Sequence, residues 1–407
     1  MASRRSFLKS SGAAAALLGT MGLAGCSSIE NALGGGDGGS KSYKNWMYDP
    51  EAMDIDAEFV GFGSFNVQTI FENEDQLPEE TQEELDNTGE QLESFGVTLD
   101  ETERITSVGH TGDILGSAMG GGGGGGSQIT SGGSASIVGS FEPEEIEEAV
   151  TMANGSVPED RQLEEGEEYE GYNMWTSSYT PETMGQSEPQ MMSTAVGLSE
   201  DAVVASGMQS NEAEAIEAAQ LMIDTESGSG TRLTNENDDV NEMVSNVGGN
   251  AFAMGVTLGS IVDTLGAFIQ EEPVQDVIDG LVAVGLGINI NGETYETNIA
   301  MVYDESDDAS TDNYEAFFEY VREQNTSDVE DPLEDIETSK NGRTVVVTTS
   351  GDTEELFEET DAGSDGSSMT TTADLGATVA PYDVLNLASP ADIIRSATPG
   401  GGIDVGN

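Results

Sequence analysis

Two hydrophobic periods alternate along this chain. Apolar residues at every second position mark strands, and those three and four apart mark helices. Residues 58–63 predict a strand, after which Val67, Ile70 and Phe71 fall on one helical face. Leu85, Leu92 and Phe95 predict a second helix in a very acidic stretch. Strands are predicted at 104–108 and 135–138, and Pro143 opens a helix with Ile146 and Val150 inward. A strand at 169–175 precedes a hairpin, 194–198 with 202–206, across Ser199-Glu200-Asp201. Residues 211–223 then read as a helix with Ile216, Ala219 and Ile223 inward.

The second half is more regular. Phe252, Met254, Val256 and Leu258 alternate as a strand. The period switches at Ile261, Val262, Leu265, Phe268 and Ile269, and again after Pro273 at Val274, Val277, Ile278 and Leu281. Period two returns at 282–290, and Asn291-Gly292 predicts a hairpin into 295–303. Tyr314, Phe317, Phe318 and Val321 form a helical face, and a second hairpin is centred on Asn341-Gly342. This order predicts an α+β class of two domains, each a mostly antiparallel sheet with helices packed on one face. The expected boundaries are 51–225 for the first domain and 249–360 for the second. Residues 226–248, polar and containing Ser227-Gly228-Ser229-Gly230, are read as the linker between them. Seven glycines at 120–126 suit a surface loop, and 361–407, rich in Ser, Thr, Gly and Asp, a mobile tail. A short internal repeat links Phe62-Gly63-Ser64-Phe65-Asn66 with Val138-Gly139-Ser140-Phe141-Glu142.

The first 25 residues follow neither pattern. Residues 3–9 read Ser-Arg-Arg-Ser-Phe-Leu-Lys, and an apolar stretch follows at 13–24. It is too short for a permanent spanning helix, which needs about 20 apolar residues. It ends in Leu23-Ala24-Gly25-Cys26. The first segment resembles a twin-arginine export signal, carried by Arg4, Arg5, Phe7, Leu8 and Lys9. The second resembles a lipobox, in which Leu23, Ala24 and Gly25 precede the cysteine that carries the lipid. The resemblance implies removal of 1–25, a covalent lipid on Cys26 and a place on the outer face of the cell membrane. Residues 26–50 are then expected as a lipid-proximal tether, flexible at 34–40. In it Lys41 and Lys44 are interleaved with Tyr43, Trp46 and Tyr48, which suits a headgroup layer.

Charge sharpens the picture. The net charge is −66, and it becomes −69 once Arg4, Arg5 and Lys9 are removed with the signal. Lys41, Lys44 and Lys340 are the lysines that remain. Such a surface repels nucleic acid, whose binding depends on Lys and Arg against phosphates. Acid surplus with scarce lysine, behind a twin-arginine lipobox, resembles the exported lipoproteins of haloarchaea, and implies folding adapted to molar salt.

Candidate chemistry is sparse. Cys26 is the sole cysteine, so internal disulfides and cysteine-based zinc sites are excluded. His110, the sole histidine, lies between Gly109 and Gly112 in what reads as a loop. Residues 304–315 resemble a calcium loop of the EF-hand type, with Asp304, Ser306, Asp308, Ser310, Asp312 and Glu315 at ligand positions. Ala309 stands where that loop needs glycine. Asn154 and Asn325 open N-glycosylation acceptor triplets. No other cofactor is implied. The expectation is a cell-surface lipoprotein with a non-enzymatic binding or envelope-interaction role, its partners the membrane lipid and a protein or envelope component. A carboxylate-dependent hydrolase and the ligand-binding lipoprotein of a transporter are the alternatives.

Overall fold

A computed structural model describes residues 42–55, 57, 59–73, 97–111, 131–154, 158, 161–180, 191–259, 262, 271–324 and 336–353. The strands are β1 (Phe59–Phe65), β2 (Thr102–Thr111), β3 (Ser131–Gly139), β4 (Glu164–Glu165), β5 (Asn173–Tyr179) and β6 (Met192–Leu198). They continue as β7 (Ala202–Met208), β8 (Phe252–Thr257), β9 (Leu281–Asn291), β10 (Thr294–Tyr303), β11 (Glu337–Asn341) and β12 (Thr344–Asp352). The helices are α1 (Val67–Glu72), α2 (Pro143–Asn154), α3 (Glu212–Ser227), α4 (Leu233–Glu236), α5 (Asp238–Val247), α6 (Glu272–Ile278) and α7 (Thr311–Gln324).

All the strands join one sheet of 12, in the order β11-β12-β10-β9-β8-β1-β2-β3-β7-β6-β5-β4. Each pairing between neighbours is antiparallel. The expected α+β class holds, but the two expected domains are halves of one sheet. They are joined where β1 pairs β8, from Gly61↔Val256 to Phe65↔Phe252. Helices also cover both faces rather than one. Phe65, Phe252, Ile288, Ile299 and Val347 point to the face packed by α1, α2, α6 and α7. Phe62, Val108, Ala253, Ala283 and Val302 point to the opposite face, under α3, α4 and α5. A strand buried on both faces loses the apolar-polar alternation that betrays one-sided burial, and every residue of β1 is buried.

The expected linker, 226–248, is core structure. Val240, Met243, Val244 and Val247 are all buried on α5, at spacings of three and four that form one helical stripe. Asn237 caps that helix, its Oδ1 accepting from the amides of Asp239 and Val240 at 3.1 and 2.9 Å. The stripe lies on glycines. A Cβ at Gly255 would come 2.5 Å from Met243 Sδ, and one at Gly285 would come 2.4 Å from Met243 Cγ. Here helix and sheet approach more closely than any side chain on those strands would allow.

The sheet repeats itself about its centre. Outward from the β1–β8 pair, the first half runs β1-β2-β3-β7-β6 and the second runs β8-β9-β10-β12-β11. In both, three strands follow in chain order, a helix intervenes (α2 or α7), and a hairpin returns with its second strand against the third. Strands β4 and β5 are additions to the first half. The pseudo-twofold axis passes near Gly63↔Met254, the middle of the β1–β8 register. The cross-strand row Ser64, Thr106, Ser136, Val204 therefore answers to the row Gly255, Gly285, Ala300, Val346. The short repeat noted in the sequence is a different one. It links the ends of β1 and β3, which both flank β2 and each lead into a helix.

Both predicted hairpins form one residue later than the Asn-Gly pairs suggest. Asn291 pairs Thr294 and Asn341 pairs Thr344, so Gly292 and Gly342 open the two-residue turns, at φ 65° and 60°. The predicted helices at 85–95 and 261–269, the glycine run at 120–126 and the tail at 361–407 lie wholly or almost wholly outside the described residues.

Candidate functional site

The segment 42–55, expected largely as tether and headgroup contact, is instead a strap across the middle of the α3–α5 face. It contains two 3-10 turns, Tyr43–Trp46 and Pro50–Met53. Trp46, Met47 and Tyr48 are at most 2% exposed, and Tyr43, Met53 and Ile55 are also buried. Aromatic side chains this deep are not available to a lipid surface. The strap spans both halves. On one side Tyr43 stacks on Phe62 with centroids 6.1 Å apart. Arg104 lies over the same Tyr43 ring at 5.9 Å and donates to Ser64 Oγ at 3.0 Å. On the other side Tyr43 Oη donates to Gly248 O at 3.2 Å. The strap backbone bonds to the α3–α4 connection, Asp49 N to Thr231 O at 3.1 Å and Leu233 N to Met47 O at 2.8 Å. Among the described residues it forms no ladder with a sheet strand.

The floor beneath the strap and α3 is lined with small hydroxyls. Ser64, Thr106, Ser134, Ser136 and Ser206 share this face and are fully buried. Some are satisfied. Ser134 Oγ donates to Tyr48 Oη at 3.2 Å, and Ser206 Oγ donates to Ala215 O. Burial pushes the Tyr48 phenol up to about 12, with the Ser134 bond opposing, so it stays neutral. Others are not satisfied. Thr106 Oγ1, Ser136 Oγ and Trp46 Nε1 are buried without hydrogen-bond partners.

His110 belongs to this face too. It is a β2 residue, paired between Val60 and Gly132, and only 3% exposed, not a loop residue. Neither ring nitrogen has a hydrogen-bond partner. Burial lowers its pKa to about 4, with the Glu214 carboxylate pulling weakly the other way. The imidazole is therefore neutral near pH 7. Among the described residues no hydroxyl is hydrogen-bonded to it.

Lys340 reaches into the calcium-like loop through two backbone carbonyls. Lys340 Nζ donates to Ser306 O at 2.6 Å and to Ala309 O at 2.7 Å. Ser306 Oγ donates to Gly342 O at 2.9 Å. Ala309, the residue in place of glycine, is 2% exposed and anchors the loop in the core. Asp304, Ser306, Asp308, Asp312 and Glu315 are exposed, and Ser310 is half-buried. Among the described residues no group of three or more His, Cys, Asp or Glu is placed to hold a metal ion. The loop carbonyls thus serve the ammonium of Lys340.

Asn154 is engaged rather than free. Its Nδ2 donates to Leu163 O at 2.8 Å, and its Oδ1 accepts from Leu163 N at 2.9 Å. A glycan on Nδ2 would have to break that pair. Asn325 lies outside the described residues, as do Arg4, Arg5, Phe7, Leu8, Lys9, Leu23, Ala24, Gly25 and Cys26.

A cleft of about 220 Å³ opens beside the strap, lined by Asp49, Glu51, Val60, Asn237, Asp239 and Thr257 among others. Asp239 is neutralised by Arg343, whose Nη1 lies 2.6 Å from its Oδ1. Burial pushes the Asp49 carboxyl up, although Glu51 N donates to it at 3.2 Å. No helix among the described residues is long and apolar enough to cross a membrane.

Sequence reading missed the strap. The available signal was the cluster Tyr43, Trp46, Met47, Tyr48, too dense in large apolar groups for a solvated tether. It also missed the glycines at 255 and 285, whose place inside strands signals a close approach by another element.

No protein-family model and no curated protein matches the chain. Among solved structures, crystal form I of TP0453 is similar over 78% of this chain and 94% of that one, at 9% identity and a TM-score of 0.34. That likeness carries no argument about what this chain does.

Proposed function

We propose that this chain is an exported protein held by a lipid on Cys26 to the outer face of the membrane. There it presents a rigid sheet for non-enzymatic binding to a protein or envelope partner at high salt. The observation that carries this is the ordered pair of signals at 3–9 and 23–26, followed after fifteen residues by a strap built into the core. The stretch from residue 26 to residue 42 reaches at most roughly 55 Å, so the sheet would stay close to the membrane. The acidic side chains support an aqueous, salt-rich setting. Glu144, Glu145 and Glu148 on α2, and Glu164, Glu165, Glu167 and Glu168 around β4, are all exposed. The continuous sheet across β1 and β8 speaks for a platform, because a hinged two-lobed ligand carrier needs a break between its lobes.

Membrane fractionation tests the anchor. Cys26→Ser should move the protein from the membrane to the soluble exported fraction. A variant that sediments with the membrane as fully as the unaltered protein overturns the proposal.

A further inference from the structure

The pseudo-twofold axis sets two equivalent seats side by side on the α3–α5 face, and the molecule closes them differently. In the second half Gly255, Gly285 and Ala300 form the seat, and Met243 of α5 fills it at distances that exclude a Cβ on either glycine. Helix α5 is regular, capped at Asn237, and continuous with the fold at both ends. In the first half the equivalent seat is Ser64, Thr106 and Ser136, and the strap lies across this part of the sheet. That closure is irregular. Its two 3-10 turns are four residues each, Thr106 and Ser136 keep unpartnered hydroxyls, and Trp46 Nε1 is likewise unpartnered. A buried polar group without a partner weakens whatever covers it. One end of the strap leads through 56–58 into β1, and the other is the end nearer Cys26 in the chain.

We propose that residues 42–55 are a releasable clasp, which comes away from the sheet before α5 or any strand when the chain is pulled through its N-terminal tether. The direction of that pull rests on the anchored reading above; the clasp itself does not. Tension entering at residue 42 meets side-chain burial, separate side-chain contacts such as those of Tyr43 and Tyr48, and backbone bonds that form no ladder, which yield one after another. Tension reaching the sheet must instead break ladders such as β1–β2, whose register covers seven residue pairs. Release would lengthen the tether and uncover the hydroxyl floor around Thr106 and Ser136 while leaving the sheet folded.

The test is force spectroscopy on the mature chain expressed without residues 1–25 and without lipid, in molar KCl. One handle is attached at Cys26 and the second at a cysteine introduced by Glu200→Cys, in the exposed β6–β7 turn. The expected result is a first, reversible extension of less than about 60 Å, the contour of residues 42–58 less the distance the strap already spans, at a force below that of every later event. Trp46→Ala should lower the force of that step, and Met243→Ala should shift only the later, longer events. The proposal is overturned if the first event releases a strand or the whole sheet. It is equally overturned if the short step responds to Met243→Ala and not to Trp46→Ala. Because no lipid or membrane is present, this failure is separate from a failure of Cys26→Ser to leave the membrane.

Discussion

Protonation of His110 should be a measurable acid weakness. In an unfolded chain a histidine takes up a proton near pH 6.5. In the fold His110 does so only near pH 4, because its burial disfavours the charged ring. Between those values the unfolded state binds more protons, so stability falls as pH falls. Well above pH 6.5 this residue contributes no pH dependence, and well below about 4 its effect levels off. The full shift of about 2.5 units corresponds to about 3 kcal/mol, of which about 2 kcal/mol is lost between pH 7 and pH 5. Many carboxylates also begin to titrate in that range, and their neutralisation relieves repulsion. A comparison with a non-titrating variant removes that contribution. Urea unfolding of the unaltered chain and of His110→Leu, at fixed molar KCl from pH 7.5 to 4.5, isolates the histidine. The difference in unfolding free energy should move by about 2 kcal/mol in favour of the variant from pH 7 to 5. Two curves that stay parallel over that interval would show that His110 is solvated, or finds a partner when charged, and the burial argument would be wrong.

Two further outcomes follow from packing and charge. Gly285→Ala should destabilise by about 1–3 kcal/mol, since its methyl would meet Met243 and Val247 at 2.4 and 2.8 Å, and denaturant titrations should show the same change costing less when made in a Met243→Ala background. Thermal midpoints by circular dichroism should rise strongly from 0.1 to 3 M KCl. Neighbouring glutamates such as Glu144 and Glu148 on α2 sit about 5–6 Å apart, inside the screening length of about 8 Å at 0.15 M but beyond that of about 3 Å at 1 M. A midpoint that is flat above 0.15 M would refute the reading of the acidic surface as a salt adaptation.

Much of the secondary structure was legible because it is written in local periods. The alternation at 252–258 and 282–290 became β8 and β9, and the Asn-Gly pairs at 291 and 341 became turns displaced by one residue. Asn211 and Pro143 opened helices as their chemistry requires. Helix α5 was legible in principle, since Val240, Met243, Val244 and Val247 keep the helical spacing. It was passed over because Asp238, Asp239, Asn241, Glu242 and Asn246 make the stretch polar on average. Mean composition hides a stripe when only one face is buried.

The sequence by itself determined the acid-rich composition, the single cysteine, the α+β class and most strand positions, and it carries the resemblance of 3–26 to an export leader. Each depends on neighbouring residues or on totals. The tertiary structure alone decided that β1 pairs β8 and so fuses two expected domains into one sheet. Pairing between strands so distant in the chain leaves no local trace, because backbone groups pair with whichever edge is brought to them. It alone decided that His110 is buried, since the nearby Gly109 and Gly112 make the stretch read as a loop until His110 is placed in register with Gly132. It also set Lys340 against the carbonyls of Ser306 and Ala309. The hairpin β11–β12 delivers that ammonium, and a motif of twelve consecutive residues cannot show what reaches it from outside.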